Sequence, residues 1–410
     1  MKREGVTIRI EKRNLIIMWF ANFLVAGSTT MILPFISLYI DSLGNYSNDY
    51  VQRWAGLVFG ITFLVAFFVS PIWGRLGDKS GYKPILLLTG YGIATCIFLM
   101  GFMKTVTGLF FIRMLTGAVT GFIPTSVALI SRQTRKEVAG KTLATLQTGA
   151  VTGGLLGPLL GGLMADVFGL KYTFTITSIS IAIATTVVLF GIVEKRKPRG
   201  EKREKSFTSK DVIKKIVSHR LLLTIIFISF LIQVANFSIQ PLLALYVSQL
   251  TEAGSVAFLA GLAFSASGFG NLISTRQWGK LGDDIGFEKV LMIVLILAAI
   301  FIIPQALVNE LWQLVLFRFL FGIAVGGMLP SITAFIRVEV PLEMQGEVLG
   351  YHQSFRFLGN VVGPIFGGIL SGYIGISSVF YVTSALFIFT FGLLWWNLSQ
   401  YEKRKLKVRR

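Results

Sequence analysis

The chain is nearly devoid of the residues from which disulfides, metal centres and acid–base enzymes are built. Its one cysteine, Cys96, cannot form an intramolecular disulfide, and two histidines, His219 and His352, cannot assemble a zinc-ligand cluster. No metal and no cofactor are expected. A phosphate-binding glycine loop ending in Lys-Ser/Thr is missing, as is any nucleophile–base–acid arrangement. Enzyme chemistry is therefore disfavoured, and with no nucleotide-binding domain the energy source should be an ion gradient. Charged residues are only 14% of the chain, against about 25% in a soluble domain. Carboxylates number 20, and none falls deep in an apolar run.

What remains is apolar. The 410 residues are 53% hydrophobic and fall into twelve apolar runs separated by charged or Gly/Pro turns. Each run can cross a hydrocarbon core as a helix of about 20 residues. Helix is the required form, because backbone polar groups in lipid must be satisfied internally, and a barrel would need short alternating strands. The expected fold is an all-α membrane protein of twelve transmembrane helices. The first run, near 14–40, follows the basic stretch Met1 to Arg13; it is too long for a signal peptide and reads as a retained first span. The seventh lies near 220–247.

The 39 Lys and Arg residues are distributed by side. Only Arg53, Lys104 and Lys171 fall in loops opposite the N-terminus, and only Arg113, Arg318 and Arg356 lie deep in spans. The positive-inside rule then puts both termini in the cytoplasm. The basic excess is an orientation signal, so no nucleic-acid partner is expected. Boundaries follow: a six-helix half over 1–193, a basic cytoplasmic linker over 194–219, a second six-helix half over 220–398 and a basic tail over 399–410. The linker reads as a solvated segment near an anionic leaflet, with a regulatory or partner site as the alternative.

The halves are repeats. Gly74-Arg75-Leu76-Gly77-Asp78-Lys79-Ser80-Gly81-Tyr82-Lys83 recurs 205 residues later as Gly279-Lys280-Leu281-Gly282-Asp283-Asp284-Ile285-Gly286-Phe287-Glu288. Arg113 and Arg318 sit in matching runs, as do Pro158 and Pro364 with their flanking glycines, and Pro34 and Pro241. Parallel repeats about an axis along the membrane normal are a transporter architecture, with the substrate site between the halves near the midplane.

On these residues the sequence resembles the major facilitator superfamily, in its twelve-span drug/proton antiporter branch, and among these the MdtG-like multidrug exporters. The turn Gly74–Lys83 matches the superfamily's loop between spans 2 and 3, Arg113 its span-4 arginine, and Gly153-x-x-x-Gly157-Pro158-x-x-Gly161-Gly162 the span-5 motif of antiporters. The resemblance implies two pseudo-symmetric six-helix halves in the plasma membrane. It implies export of small amphipathic compounds against protons, and a monomer in the lipid bilayer is expected. It gives Asp78 a gating role, shared with Gly74, Gly77, Lys79, Gly81, Lys83 and the repeat copies Gly282 and Asp283; a turn that only sets topology is the alternative. Lys79 stands where the family has arginine and Tyr82 where it has a basic residue, which weakens any charge relay. Arg113 inherits proton coupling, with structural pairing to carbonyls as the alternative.

Other candidates come from placement. Gly153, Gly157 and Gly161 line one face of span 5 and permit backbone contact, while Pro158 bends the helix. His352, Arg356 and Asn360 share a face of span 11, and Gln233, Asn236 and Gln240 form a stripe on span 7. These, with Asn22, are candidates for the substrate cavity. A lone arginine near the midplane needs a partner, and backbone, water or an acidic group of the substrate are the options for Arg356. Without an embedded carboxylate, proton exchange falls to His352, whose reference pKa is about 6.5, or to Asp41 and Asp166 at outer helix ends; a structural histidine is equally compatible. Lipid or glycolipid flipping, proton-coupled solute symport and a non-transporting sensor are rival functions.

Overall fold

The computed structural model describes residues 2–134, 138–194, 209–251 and 255–409, and these hold helices and no strand. The helices are α1 Lys2–Met31, α2 Ile36–Ser42, α3 Asn48–Ser80, α4 Tyr82–Met100, α5 Val106–Val119, α6 Phe122–Gln133, α7 Ala139–Phe168 and α8 Leu170–Gly191. They continue with α9 Ser209–Ser218, α10 Arg220–Ser238, α11 Leu243–Leu250, α12 Val256–Ile285, α13 Phe287–Ile302, α14 Leu311–Glu339, α15 Leu342–Ile374 and α16 Ile376–Arg409. Twelve segments of the described residues are long and apolar enough to cross a membrane.

Four details differ from the reading of apolar runs, and one is that the run near 107–130 is two helices, α5 and α6, broken at Thr120 and Gly121. The runs near 14–40 and 220–247 are each two helices joined by a 3-10 turn, Leu33–Phe35 and Gln240–Leu242. Pro34 and Pro241 lie in these turns, where a missing N–H and a fixed φ stop the α-helix. The stretch expected as a basic tail continues α16 to Arg409, and α9 occupies part of the expected linker, whose residues 195–208 lie outside the described residues.

The chain divides into two compact units. The first comprises Met1–Tyr46, Leu57–Gly200 and Glu252–Ser265; the second comprises Ser47–Gly56, Glu201–Thr251 and Ala266–Arg410. Each therefore includes the first turns of a helix from the other sequence half, α12 in the first unit and α3 in the second. In the first unit α1 packs along α7 and α8, and α4 along α8. In the second α10 packs along α15 and α16, and α13 along α14 and α16.

The sequence repeat reappears bond by bond. Trp73 Nε1 donates to the Ala118 carbonyl at 2.9 Å, and Trp278 Nε1 to that of Ile323 at 2.7 Å. Tyr39 caps the Met100 carbonyl at 2.8 Å, and Tyr246 that of Gln305 at 2.7 Å. The positive-φ residues of the described chain are Gly81, Gly286, Gly169 and Gly375, two repeat-related pairs at the helix-to-helix corners. A side chain at φ near +98° or +80° would be strained, so these corners turn in one residue.

Glycine also sets helix spacing. A Cβ at Gly153 would meet the Phe23 carbonyl, one at Gly157 the Gly27 carbonyl and Thr30, and one at Gly161 the Met31 backbone. The α7 face thus touches the α1 backbone directly. In the second unit Gly359, Gly363 and Gly367 press α15 on Phe230, Val234 and Ser238 of α10. Gly154, by contrast, has open space. Gly157→Ala should lower stability by about 1–3 kcal/mol, the overpacking range, whereas Gly154→Ala should be neutral. Thermal unfolding of the detergent-purified protein checks this, and equal effects would contradict the contact.

Candidate functional site

The turn after α3 is held by a carboxylate that the motif itself does not contain. Gly81 N closes on the Gly77 carbonyl at 2.9 Å, and Gly81 at φ +98° turns the chain into α4. The first free amides of α4 then point at Glu194, which accepts from Tyr82 N at 2.9 Å and Lys83 N at 3.0 Å. A carboxylate suits a helix N-terminus, where unpaired N–H groups and the macrodipole converge. Lys83 Nζ donates to the Ile192 carbonyl at 2.8 Å. Tyr82 is buried beneath Gly77, whose absent side chain makes room for the ring, and Arg132 lies 5.8 Å over that ring. Gly282 makes the same room for Phe287 in the repeat. Lys79 and Asp283 are exposed, and Gly74 has open space around it. Asp78 belongs to the last turns of α3, but its side chain lies outside the described residues.

Arg113 and Arg318 are both buried, at 6% and 4% exposure. Arg113 Nε reaches toward the Val58 carbonyl at 3.5 Å, and its guanidinium lies 5.9 Å from the Phe59 ring centre. Its own carbonyl accepts from Thr62 at 3.0 Å. Arg318 lies 5.8 Å from Phe321. Among the described residues no carboxylate pairs with Arg113. Holding an arginine there costs about 2.5–3.5 kcal/mol or more, which ring faces and carbonyls offset in part.

The far end of α7 carries a second carboxylate-to-helix contact. Asp166 accepts from Phe258 N at 2.7 Å and Ala257 N at 3.3 Å, the opening amides of α12. Beneath it a Cβ at Gly162 would meet Ala257, and one at Gly261 would meet the Pro158 carbonyl; Ser265 donates to the Leu155 carbonyl at 2.8 Å. Helix α7 runs unbroken through Pro158. The repeat keeps the packing but changes the polar group. Gly56 meets the Pro364 carbonyl and Gly368 the Gln52 carbonyl, while Asp166 is replaced by Gly372, against which Arg53 lies. Arg53 pairs with Asp49 at 3.1 Å and stacks 4.5 Å over Tyr373. Asp41, in the last turn of α2, is exposed.

The polar stripe of α15 is only partly internal to itself. Asn360 accepts from Gln233 Nε2 at 2.9 Å, so the stripes of α15 and α10 meet. Arg356 Nη1 donates to Gln353 Oε1 at 2.8 Å. Arg356 Nε and His352 Nε2 are buried and have no partner among the described residues. Asn236 is half-buried. Gln240 leaves the helical repeat of Gln233 and Asn236, because α10 ends at Ser238 and Pro241 turns the chain. Asn22 belongs to the first unit, where it donates to Ser126 at 2.8 Å.

Motif reading missed two groups. Glu194 was signalled only as the one acidic residue opening a basic stretch. The other joins three helices: Glu339 of α14 accepts from Tyr401 of α16 at 2.9 Å and from His219 Nε2 at 3.0 Å, while His219 Nδ1 accepts from Leu222 N and caps α10. Because Nδ1 accepts, Nε2 carries the proton.

Comparison with known proteins adds the following. The sequence profile described as Major Facilitator Superfamily matches residues 18–260 and 251–410. The chain is 56% identical to the "Uncharacterized MFS-type transporter YuxJ" of Bacillus subtilis (strain 168), over 92% of this chain and 96% of that protein. It is 38% identical to "Multidrug resistance protein MdtG" of Dickeya zeae (strain Ech586), over 96% of this chain and 97% of the relative. Among solved structures, a bacterial homologue of the human lysosomal transporter Spinster superposes with a TM-score of 0.78 at 13% identity, covering 94% of this chain and 96% of its own. The nucleoside transporter NupG gives 0.74 at 16% identity, covering 94% and 98%.

The Glu194 contact has a direct readout. Glu194→Ala should expose the amides of Tyr82 and Lys83 and cost about 1 kcal/mol, a half-exposed capping interaction. Hydrogen exchange of the 81–86 segment should rise while that of the α13 start, at Phe287, stays unchanged. Unchanged exchange at Tyr82 would show that the cap is dispensable.

Proposed function

Because the chain belongs to the Major Facilitator Superfamily, and is a membrane transporter of small molecules rather than an enzyme, we propose that it exports amphipathic drugs or toxic compounds in exchange for protons by alternating access. The observation that carries this reading is the 38% identity to proteins named Multidrug resistance protein MdtG over nearly the whole of both chains. Placement in the plasma membrane with both termini cytoplasmic accords with the sidedness of the basic residues.

The residues support a division of labour. The glycine faces of α7 and α15 let helices slide or rock on one another with little side-chain repacking. Asp166 bonds the opening amides of α12, and it does so best as a carboxylate. A proton taken up there weakens that contact, which couples proton entry to helix release at that end. Arg113 holds a positive charge inside the first unit with no carboxylate beside it among the described residues, so its field acts on whichever proton site is occupied. The Gly74–Lys83 turn, anchored by Glu194, gates the opposite end, with Asp78 in the family's gating position.

Proteoliposomes with an imposed proton gradient provide the test. A cationic amphipathic dye should accumulate against its gradient, and a protonophore should abolish accumulation. Arg113→Ala should cut the initial uphill rate at least tenfold, about 1.4 kcal/mol, while dye binding persists. Asp166→Asn should also impair coupled transport without unfolding the protein. Transport indifferent to the proton gradient would refute the exchange mechanism.

A further inference from the structure

We propose that His352 and Arg356 of α15 form a receptor for the anionic group of an amphipathic ligand, a site that deepens the export reading above and rests on it. The two residues lie one turn apart on one helix face. His352 is only 3% exposed, yet its Nε2 has no partner among the described residues. Arg356 Nε is likewise buried and unpartnered. Two buried nitrogens that can each carry an N–H thus belong to residues one turn apart, with no acceptor for either among the described residues. Leaving such a group unpaired is costly, more so when it is charged.

The charge is also unanswered. Arg356 gives one bond to Gln353, a neutral amide of its own helix, at 2.8 Å. Among the described residues no ion pair includes it. Arg113 differs, having a carbonyl and an aromatic ring within reach. One turn further along, Gln233 and Asn360 satisfy each other at 2.9 Å. They supply polarity there but no counter-charge.

The repeat shows that this pair is not needed to build the helix. The α7 positions 206 residues earlier are Leu146 and Ala150, on a helix that carries the same glycine–proline packing. A fold that accepts Leu and Ala at these places carries His and Arg only in its second copy. A guanidinium edge beside an imidazole N–H fits an oxyacid, whose oxygens accept both donors while its charge answers that of Arg356. Neutral His352 suffices when its proton is on Nε2. The oxyacid group can belong to a free amphipathic carboxylate or to a lipid headgroup phosphate.

The test uses the purified full chain in nanodiscs and a matched pair of probes, an amphipathic carboxylic acid and its primary amide, with binding followed by tryptophan fluorescence. The unmodified protein should bind the acid roughly ten- to hundredfold more tightly than the amide, the span of a charge-assisted hydrogen bond. Arg356→Gln should bring that ratio near one, and Arg356→Lys should keep part of the preference. His352→Leu, which installs the residue of the repeat, should reduce the preference, whereas His352→Gln, which keeps a donor, should retain it. An acid preference that survives both Arg356→Gln and His352→Leu, or no preference in the unmodified protein, overturns the proposal. Preference in phosphatidylcholine nanodiscs that disappears in phosphatidylglycerol nanodiscs assigns the site to a lipid headgroup; preference in both assigns it to the free amphiphile. Proton-driven dye transport is the separate readout for export. If it fails while the acid preference stands, the export reading falls and the anion site remains.

Discussion

Direct contact between helix backbones is the constraint on which the remaining structure depends. In lipid the apolar side chains of neighbouring helices gain little by leaving one apolar medium for another, so association relies on close packing. Here that packing is made by glycine: α7 lies on the carbonyls of Phe23 and Gly27, and α15 on those of Phe230 and Val234. Side chains at these positions would push the helices apart. The same spacing brings Gly162 to Ala257 and Gly368 to Gln52, where helices cross end to end. The large residues that complete the packing, such as Phe35, Phe174 and Phe380, fill the space that this spacing leaves.

Charge is placed with equal economy. The carboxylates Glu194 and Asp166 both sit on helix N-termini, where free amides replace the water they would otherwise need. A carbonyl and a ring face lie within reach of Arg113, a ring face lies near Arg318, and Arg356 bonds a neutral amide while its Nε is buried with no acceptor among the described residues. The symmetrical frame thus carries asymmetrical polar groups: Asp166 against Gly372, and Ala150 against Arg356.

Much of this was legible in the chain. Twelve crossings, the repeat and the glycine–proline motif follow from apolar run length and spacing, because lipid leaves a backbone few alternatives to helix. The breaks at Pro34 and Pro241 were also in view as prolines, although continuous hydrophobicity masked them: lipid tolerates apolar residues whether or not the helix is interrupted. The facing of Gln233 toward Asn360 was not legible, since nothing in a helical period says which neighbour a face will meet.

What the sequence determined alone was the membrane class, the number of apolar crossings and the duplicated frame, all set by local composition and by periods within single segments. Only the tertiary structure decided which carboxylate holds which helix. Glu194 and Tyr82 are separated by more than a hundred residues, as are Gln233 and Asn360. Such pairings depend on where folded helices end and turn toward each other, a property of packing that no single segment carries. The buried Nε of Arg356 was decided in the same way, because an unsatisfied donor is defined by its neighbours, and the neighbours come from the fold.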